Sequence, residues 1–86
     1  MKPAGDVALD AIEPLLREVR LLPGLIEKKR GIFYRKSQAF LHFHEDAAGI
    51  FADIKLAGDE DYTRLRVSMA DERKVFLAAA MKAVVP

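Results

Sequence analysis

The spacing of apolar residues divides the chain into a helical beginning, a central part with a period of two, and a helical end. In the first part, apolar residues recur on one helical face: Ile12, Leu15, Leu16, Val19 and Leu22. Asp10 and Glu13 have the spacing of a capping box, so the first helix is predicted to begin near Asp10. Pro23-Gly24 is predicted to end it. We expect residues 1–9 to fray or to add a turn.

The central part predicts four strands, over residues 30–36, 39–44, 49–56 and 62–67. Ser37-Gln38 is predicted to join the first two as a hairpin, although neither residue is the glycine that tight turns prefer. Residues 57–61 are predicted to form a polar loop. Ser68 has the character of an N-cap, and residues 69–84 predict a final helix with a wide apolar face.

Together these elements predict one α+β domain over residues 1–86. Its order is helix, four-stranded antiparallel meander and helix, with the helices packed on the sheet. Alternation assigns one set of residues to the core face: Ile32, Tyr34, Leu41, Phe43, Ile50, Ala52, Ile54, Leu65 and Val67. It assigns another set to the opposite face: Phe33, Arg35, Phe40, His42, His44, Phe51, Asp53, Lys55, Arg64 and Arg66.

Composition narrows the class of protein. Apolar residues make up 51% and charged residues 31%, which is typical of a globular chain. There is no cysteine, so disulfides and thiolate chemistry are excluded. The N-terminus lacks the apolar run of a signal peptide, so a cytoplasmic location and no membrane association are expected. The net charge is only +1, but residues 17–36 hold seven bases against two acids.

The stretch FLHFHED contains both histidines of the chain. His42 and His44 are predicted to point the same way, roughly 6–7 Å apart at ~3.3 Å per residue. Imidazoles in this pattern can chelate a transition metal. The candidate third ligands are Glu45, Asp46 and Asp53, and Asp53 is expected to lie diagonal to His42 on the next strand. Because so few ligands are at hand, a native metal site is not favoured, and no cofactor is expected. No phosphate-binding loop or nucleophile motif is present, so we expect no enzymatic activity.

The aromatic second face needs a cover or a partner, since a sheet can fold with one face in water. A second copy of the chain is favoured, with Phe40 nearest the centre of a homodimer. Cover by a helix is one alternative, and an unknown protein or small-molecule ligand is another. A nucleic-acid-binding module is also considered. Its candidate residues are Phe33, Phe40, Phe51, Arg35, Arg64 and Arg66. The prediction is therefore a non-enzymatic, self-associating binding protein.

Part of the chain resembles a family of small bacterial domains. The residues that carry the resemblance are Leu22-Pro23-Gly24, Ile32-Phe33-Tyr34-Arg35, Phe40-Leu41-His42, His44-Glu45-Asp46 and Ile54-Lys55-Leu56. Residues 22–56 are in this way similar to the MmcQ/YjbR-like domains. The resemblance implies a CyaY-like α+β fold, and DNA binding is suggested for some members. It covers under half of the chain and implies no functional residue here.

Overall fold

The computed structural model describes residues 1–56 and 61–85, and it confirms the α+β class. The helices are α1 (Asp6–Ala11), α2 (Glu13–Arg20) and α3 (Ala70–Val84). The strands are β1 (Lys2–Pro3), β2 (Leu25–Lys29), β3 (Ile32–Arg35), β4 (Gln38–Asp46), β5 (Gly49–Ile54) and β6 (Thr63–Arg66). The sheet is antiparallel in the order β2-β3-β4-β5-β6, with β1 paired to β4. Most of the predicted loop at 57–61 lies outside the described residues.

The N-terminal helical region starts earlier than predicted and is broken. Gly5 precedes α1, and Ile12 separates α1 from α2. Pro14 explains the break, because a proline has no N–H to donate and its ring clashes with the preceding turn of a helix. The predicted capping box of Asp10 and Glu13 is therefore wrong, since the chain is already helical at Asp10.

Strands β1 and β2 were not predicted. In β2 the apolar period is lost, because Ile26 is 63% exposed while Glu27 lies on the side of the core. β2 is an edge strand, and edge strands are commonly rich in lysine. The sheet therefore contains two strands more than the four-stranded meander predicted from the sequence.

The β3–β4 hairpin turns one residue earlier than predicted. Arg35 pairs with Gln38, so Lys36 and Ser37 form a two-residue turn. Both have positive φ, 51° and 66°, as a type I′ turn requires. The predicted Ser37-Gln38 loop is therefore wrong.

This shift reverses the faces assigned to β3. Phe33 lies opposite Leu41 and is 1% exposed, so it belongs to the core. Tyr34 and Ile32 alternate with it onto the other face, and Arg35 returns to the side of the core at the end of the strand. The predicted positions of Ile32, Phe33, Tyr34 and Arg35 are all corrected by this register.

Phe40 also lies in the core, for a different reason. Tyr34 pairs with Ala39 and Phe33 pairs with Leu41, so Phe40 is an extra residue in β4. Such a β-bulge changes the direction of a side chain. Phe40 is 5% exposed and joins the same cluster as Leu41. Its predicted place on the second face is wrong.

All three helices pack on one face of the sheet. Buried residues from each helix, including Leu9, Leu16 and Phe76, form one hydrophobic cluster with Leu41 and Ile54 of the strands. No helix within residues 1–56 and 61–85 therefore covers the opposite sheet face. In the same part of the chain, no helix is long and apolar enough to cross a lipid bilayer.

The start of α3 also differs from the sequence prediction. Met69 is the N-cap, and its N–H donates to Glu72 Oε1 at 2.8 Å. Ser68 instead accepts a hydrogen bond from the Ile50 N–H, at 2.8 Å. The hydroxyl of Ser68 thus connects β5 to the segment before α3 and does not cap the helix.

A polar network fastens the N-terminal helices to the β2–β3 hairpin. Arg20 donates to Glu13 at 2.6 Å and to Glu27 at 2.7 Å, and Glu27 also accepts the Gly31 N–H at 2.8 Å. Arg30 donates to Glu13 at 2.8 Å. Arg20 and Arg30, which the sequence places in a basic segment, are thus neutralised locally by acids.

Candidate functional site: the open face of the sheet

The open face is the sheet surface that carries no helix among the described residues. Its polar and aromatic side chains come from five strands, from Lys55 just after β5 and from Tyr62 just before β6. They are Lys28, Tyr34, His42, His44, Phe51, Asp53, Lys55, Tyr62, Arg64 and Arg66. Two rows cross it, one of His42, Asp53 and Arg64 and one of His44, Phe51 and Arg66.

The β4–β5 turn sets these rows. Asp46 pairs with Gly49 across a two-residue turn, and the Asp46 carboxylate accepts the Ala48 N–H at 2.7 Å. With this register, Asp53 lies directly opposite His42. The sequence had placed Asp53 diagonal to His42, so the structure brings the two closer than predicted.

Asp53 is the buried anion of the open face. Its side chain is 6% exposed, and Arg64 donates two hydrogen bonds to it, at 2.7 Å and 2.8 Å. These bonds from Arg64 outweigh burial and lower the pKa of Asp53. The bidentate pair fixes the carboxylate plane and keeps it ionised at neutral pH.

Both histidines direct a ring nitrogen at Asp53. His44 Nδ1 lies 3.2 Å and His42 Nδ1 lies 3.9 Å from Asp53 Oδ2. The two Nδ1 atoms are 3.3 Å apart. Burial, reinforced by the charge of His44, lowers the pKa of His42, so its ring is neutral at pH 7. The two Nδ1 atoms and Asp53 Oδ2 thus lie within 3.9 Å of one another.

Two tyrosines add aromatic surface that the sequence prediction missed. The Tyr62 ring packs edge-on against the His42 ring, with 4.6 Å between the two ring centroids. Lys55 Nζ lies 5.2 Å from the centroid of the Tyr62 ring. Lys28 Nζ lies 4.4 Å from the centroid of Tyr34. Burial raises the pKa of Tyr62. Strand alternation could have identified Tyr34 only with the correct hairpin register.

Six predicted site residues share the open face: His42, His44, Phe51, Asp53, Arg64 and Arg66. The other three do not, because Phe33 and Phe40 are in the core and Arg35 lies on the core side. This set offers cationic groups for an anion, rings for stacking, and nitrogen and oxygen ligands for a metal ion.

A cavity of about 180 Å³ opens beside the histidines. It lies where β4 changes its partner from β3 to β1. Pro3, Leu9, Arg30 and Ile32 line it together with His42 and His44. The histidine pair is thus reachable from a recess at the sheet edge as well as from the open face.

Comparison with known proteins yields no relative for this chain. No family model, no curated protein and no solved structure matches it. The similarity to the MmcQ/YjbR-like domains therefore stays a prediction.

Proposed function

We propose that this chain is a non-enzymatic binding protein that holds single-stranded nucleic acid on its open face. One observation carries the proposal: aromatic and basic side chains share the sheet face that no described helix covers. Sheets that bind single strands combine the same two elements, because rings stack on bases and cations attract the backbone.

The aromatic part consists of Tyr34, Phe51 and Tyr62. All three are only partly buried or exposed, whereas the core phenylalanines are almost fully buried. A flat ring at a strand position is available to a base without rearrangement of the core. Each stacked base contributes about 1–3 kcal/mol in proteins that bind this way.

The charge of the open face favours an anionic ligand. Lys28, Lys55, Arg64 and Arg66 lie there. Arg64 is paired with Asp53 and Arg66 with Glu72, so Lys28 and Lys55 contribute most of the attraction for an anion. The sequence pI of about 8.1 is below the value above about 9 expected of many nucleic-acid-binding domains. The pI is an average over the whole chain, including the helix side, where Glu13 and Glu27 are bound to arginines, so it does not describe the open face alone.

The carboxylate of Asp53 argues against a role as a general base. A lowered pKa makes it a weak proton acceptor, and a base is most effective when its pKa lies near the working pH. We therefore assign the open face to binding and not to a chemical step.

Fluorescence anisotropy with short labelled single-stranded DNA and RNA tests the proposal. We expect dissociation constants in the range of roughly 1–100 micromolar at low salt, rising steeply with salt. Tyr34→Ala should weaken binding by about tenfold, at ~1.4 kcal/mol per decade. Lys55→Gln should weaken it as well, while Lys74→Gln on the exposed side of α3 is the matched control. No binding at about 100 micromolar, or an equal effect of the control, would refute the proposal.

A second candidate, self-association, is favoured by α3. Val75 is 64% exposed and Met81 48% exposed, and Val85 directly after the helix is 50% exposed. A helix that is apolar on more than one side commonly contacts a second surface. The predicted centre at Phe40 is excluded by its burial. Light scattering across a dilution series should show a dimer that Met81→Lys converts to monomer. A wild-type chain that is monomeric at high concentration would eliminate this candidate.

A further inference from the structure

We propose that His42, His44 and Asp53 bind one divalent transition-metal ion of the zinc type at the centre of the open face. The inference goes beyond nucleic-acid binding, and it stands on the separation of three side-chain atoms. The sequence offered several third ligands, and the β4–β5 register selects Asp53.

The three atoms form a triangle of suitable size. The sides are 3.3 Å between the two Nδ1 atoms, 3.2 Å from His44 Nδ1 to Asp53 Oδ2, and 3.9 Å from His42 Nδ1 to that oxygen. Zinc binds imidazole nitrogen at about 2.0–2.1 Å, so tetrahedral neighbours lie about 3.4 Å apart. The point about 2 Å from all three atoms lies in the plane of the triangle, so a tetrahedral ion requires His42 Nδ1 and Asp53 Oδ2 to approach each other by about 0.5 Å.

The ligands are held in place by the fold. His42 and Asp53 pair across the central β4–β5 ladder, and His44 lies two residues further along the same strand. Arg64 donates to both oxygens of Asp53, and such outer contacts orient the carboxylate of a metal site. No loop closure is needed to bring the three side chains together.

The site has room for an outside ligand. The side chains of His42 and His44 are 27% and 21% exposed, and the neighbouring cavity reaches both. Three protein ligands leave a fourth tetrahedral position for water or another small donor. The guanidinium of Arg64 offsets the charge of Asp53, so binding should be weaker than at structural zinc sites, which have four protein ligands.

The test is calorimetric titration of the metal-stripped full chain with Zn²⁺, and titration with Co²⁺ followed by visible absorbance. We expect saturable binding of one ion per chain, visible Co²⁺ bands of a nitrogen- and oxygen-ligated site, and a raised melting temperature. His44→Gln should weaken Zn²⁺ binding at least tenfold and remove the bands. Asp71→Asn, which changes an exposed acid in the first turn of α3, should leave both unchanged.

Because Asp53 is buried, Asp53→Asn could alter folding, and His42→Gln provides the second ligand variant. Each variant is first checked without metal by circular dichroism and thermal melting. Absence of saturable binding by the wild-type chain would overturn the proposal. So would Zn²⁺ binding that His42→Gln and His44→Gln leave unchanged. Neither result depends on whether the chain binds nucleic acid.

Discussion

Replacement of Phe33 by alanine measures the energetic consequence of the β3–β4 register. Phe33 is 1% exposed in the hydrophobic cluster, while its neighbour Tyr34 lies on the open face. Phenylalanine-to-alanine changes in a core cost about 3–5 kcal/mol. An 86-residue domain has a total stability of about 4–13 kcal/mol at 0.05–0.15 kcal/mol per residue. Phe33→Ala should therefore remove a large part of the free energy of unfolding.

Tyr34→Ala is the matched control on the adjacent residue. It removes a partly exposed ring and the contact with Lys28, which at exposed sites contributes about 0.5–1 kcal/mol. We expect Tyr34→Ala to cost less than about 1.5 kcal/mol. The two changes should thus differ by at least roughly 1.5 kcal/mol, with Phe33 the more costly.

Urea unfolding followed by far-ultraviolet circular dichroism measures both values. If Phe33→Ala does not fold, Phe33→Leu retains part of the apolar volume and preserves the order of effects. A larger cost for Tyr34→Ala than for either Phe33 variant would refute the register. That result would mean that Tyr34 faces the core, as simple alternation predicts.

Two further predictions concern the hairpin turn and the helix-to-hairpin network. Ser37→Gly should stabilise the protein by about 0.5–1 kcal/mol, since Ser37 has φ 66° and glycine adopts this conformation without steric cost; a melting curve checks it, with Ser37→Ala expected to destabilise. Hydrogen bonds from Arg20 lower the pKa of Glu27. The stability that ionised Glu27 gives the fold is therefore fully present above pH 4.5, its ordinary pKa, and is lost as the pH falls through the lowered pKa. Glu27→Gln should destabilise the protein at pH 7 and flatten this acid dependence in urea titrations; an unchanged acid profile would contradict the role of the pair.

The sequence predicts well the part of the fold where alternation and turn agree. In β5 and β6, Ala52, Ile54 and Leu65 alternate with Asp53 and Arg64, and the structure places them on opposite faces as predicted. The apolar period of the first helical region likewise identifies its buried face, although Pro14 breaks the helix. These features depend on residues close together in the chain, so the spacing of apolar residues in one sequence is enough to predict which side is buried.

The register of β3 could not be predicted in the same way. Lys36-Ser37 carries no glycine or asparagine to mark a primed turn, and a bulge at Phe40 leaves no local signal in an apolar run. Both alternatives bury one aromatic residue of the Phe33-Tyr34 pair. Packing of Phe33 against the helices decides which residue is buried, and this packing depends on residues that are distant in the sequence.

The candidate site was predicted in part. The histidines, Asp53 and Arg64 were assigned correctly to one face, because the β4–β5–β6 alternation is regular. Their mutual distances were not predictable, since a diagonal and a direct pairing of Asp53 with His42 fit the pattern equally well. Tyr34 was not assigned to the site, because the predicted register of β3 placed it on the core face.

The connectivity of the sheet has a consequence for how the chain folds and opens. From β2 to β6, each strand pairs with its neighbour in the sequence, so every hairpin closes a short loop at small entropic cost. β1 is the exception, because Lys2 pairs with Glu45 of β4, and α1, α2, β2 and β3 lie between them in the chain. We expect this pairing to form late in folding, because closing the long intervening loop costs chain entropy before the contact is made. A two-residue strand is also weakly held, so amide exchange should begin at β1 while the hairpins are still closed.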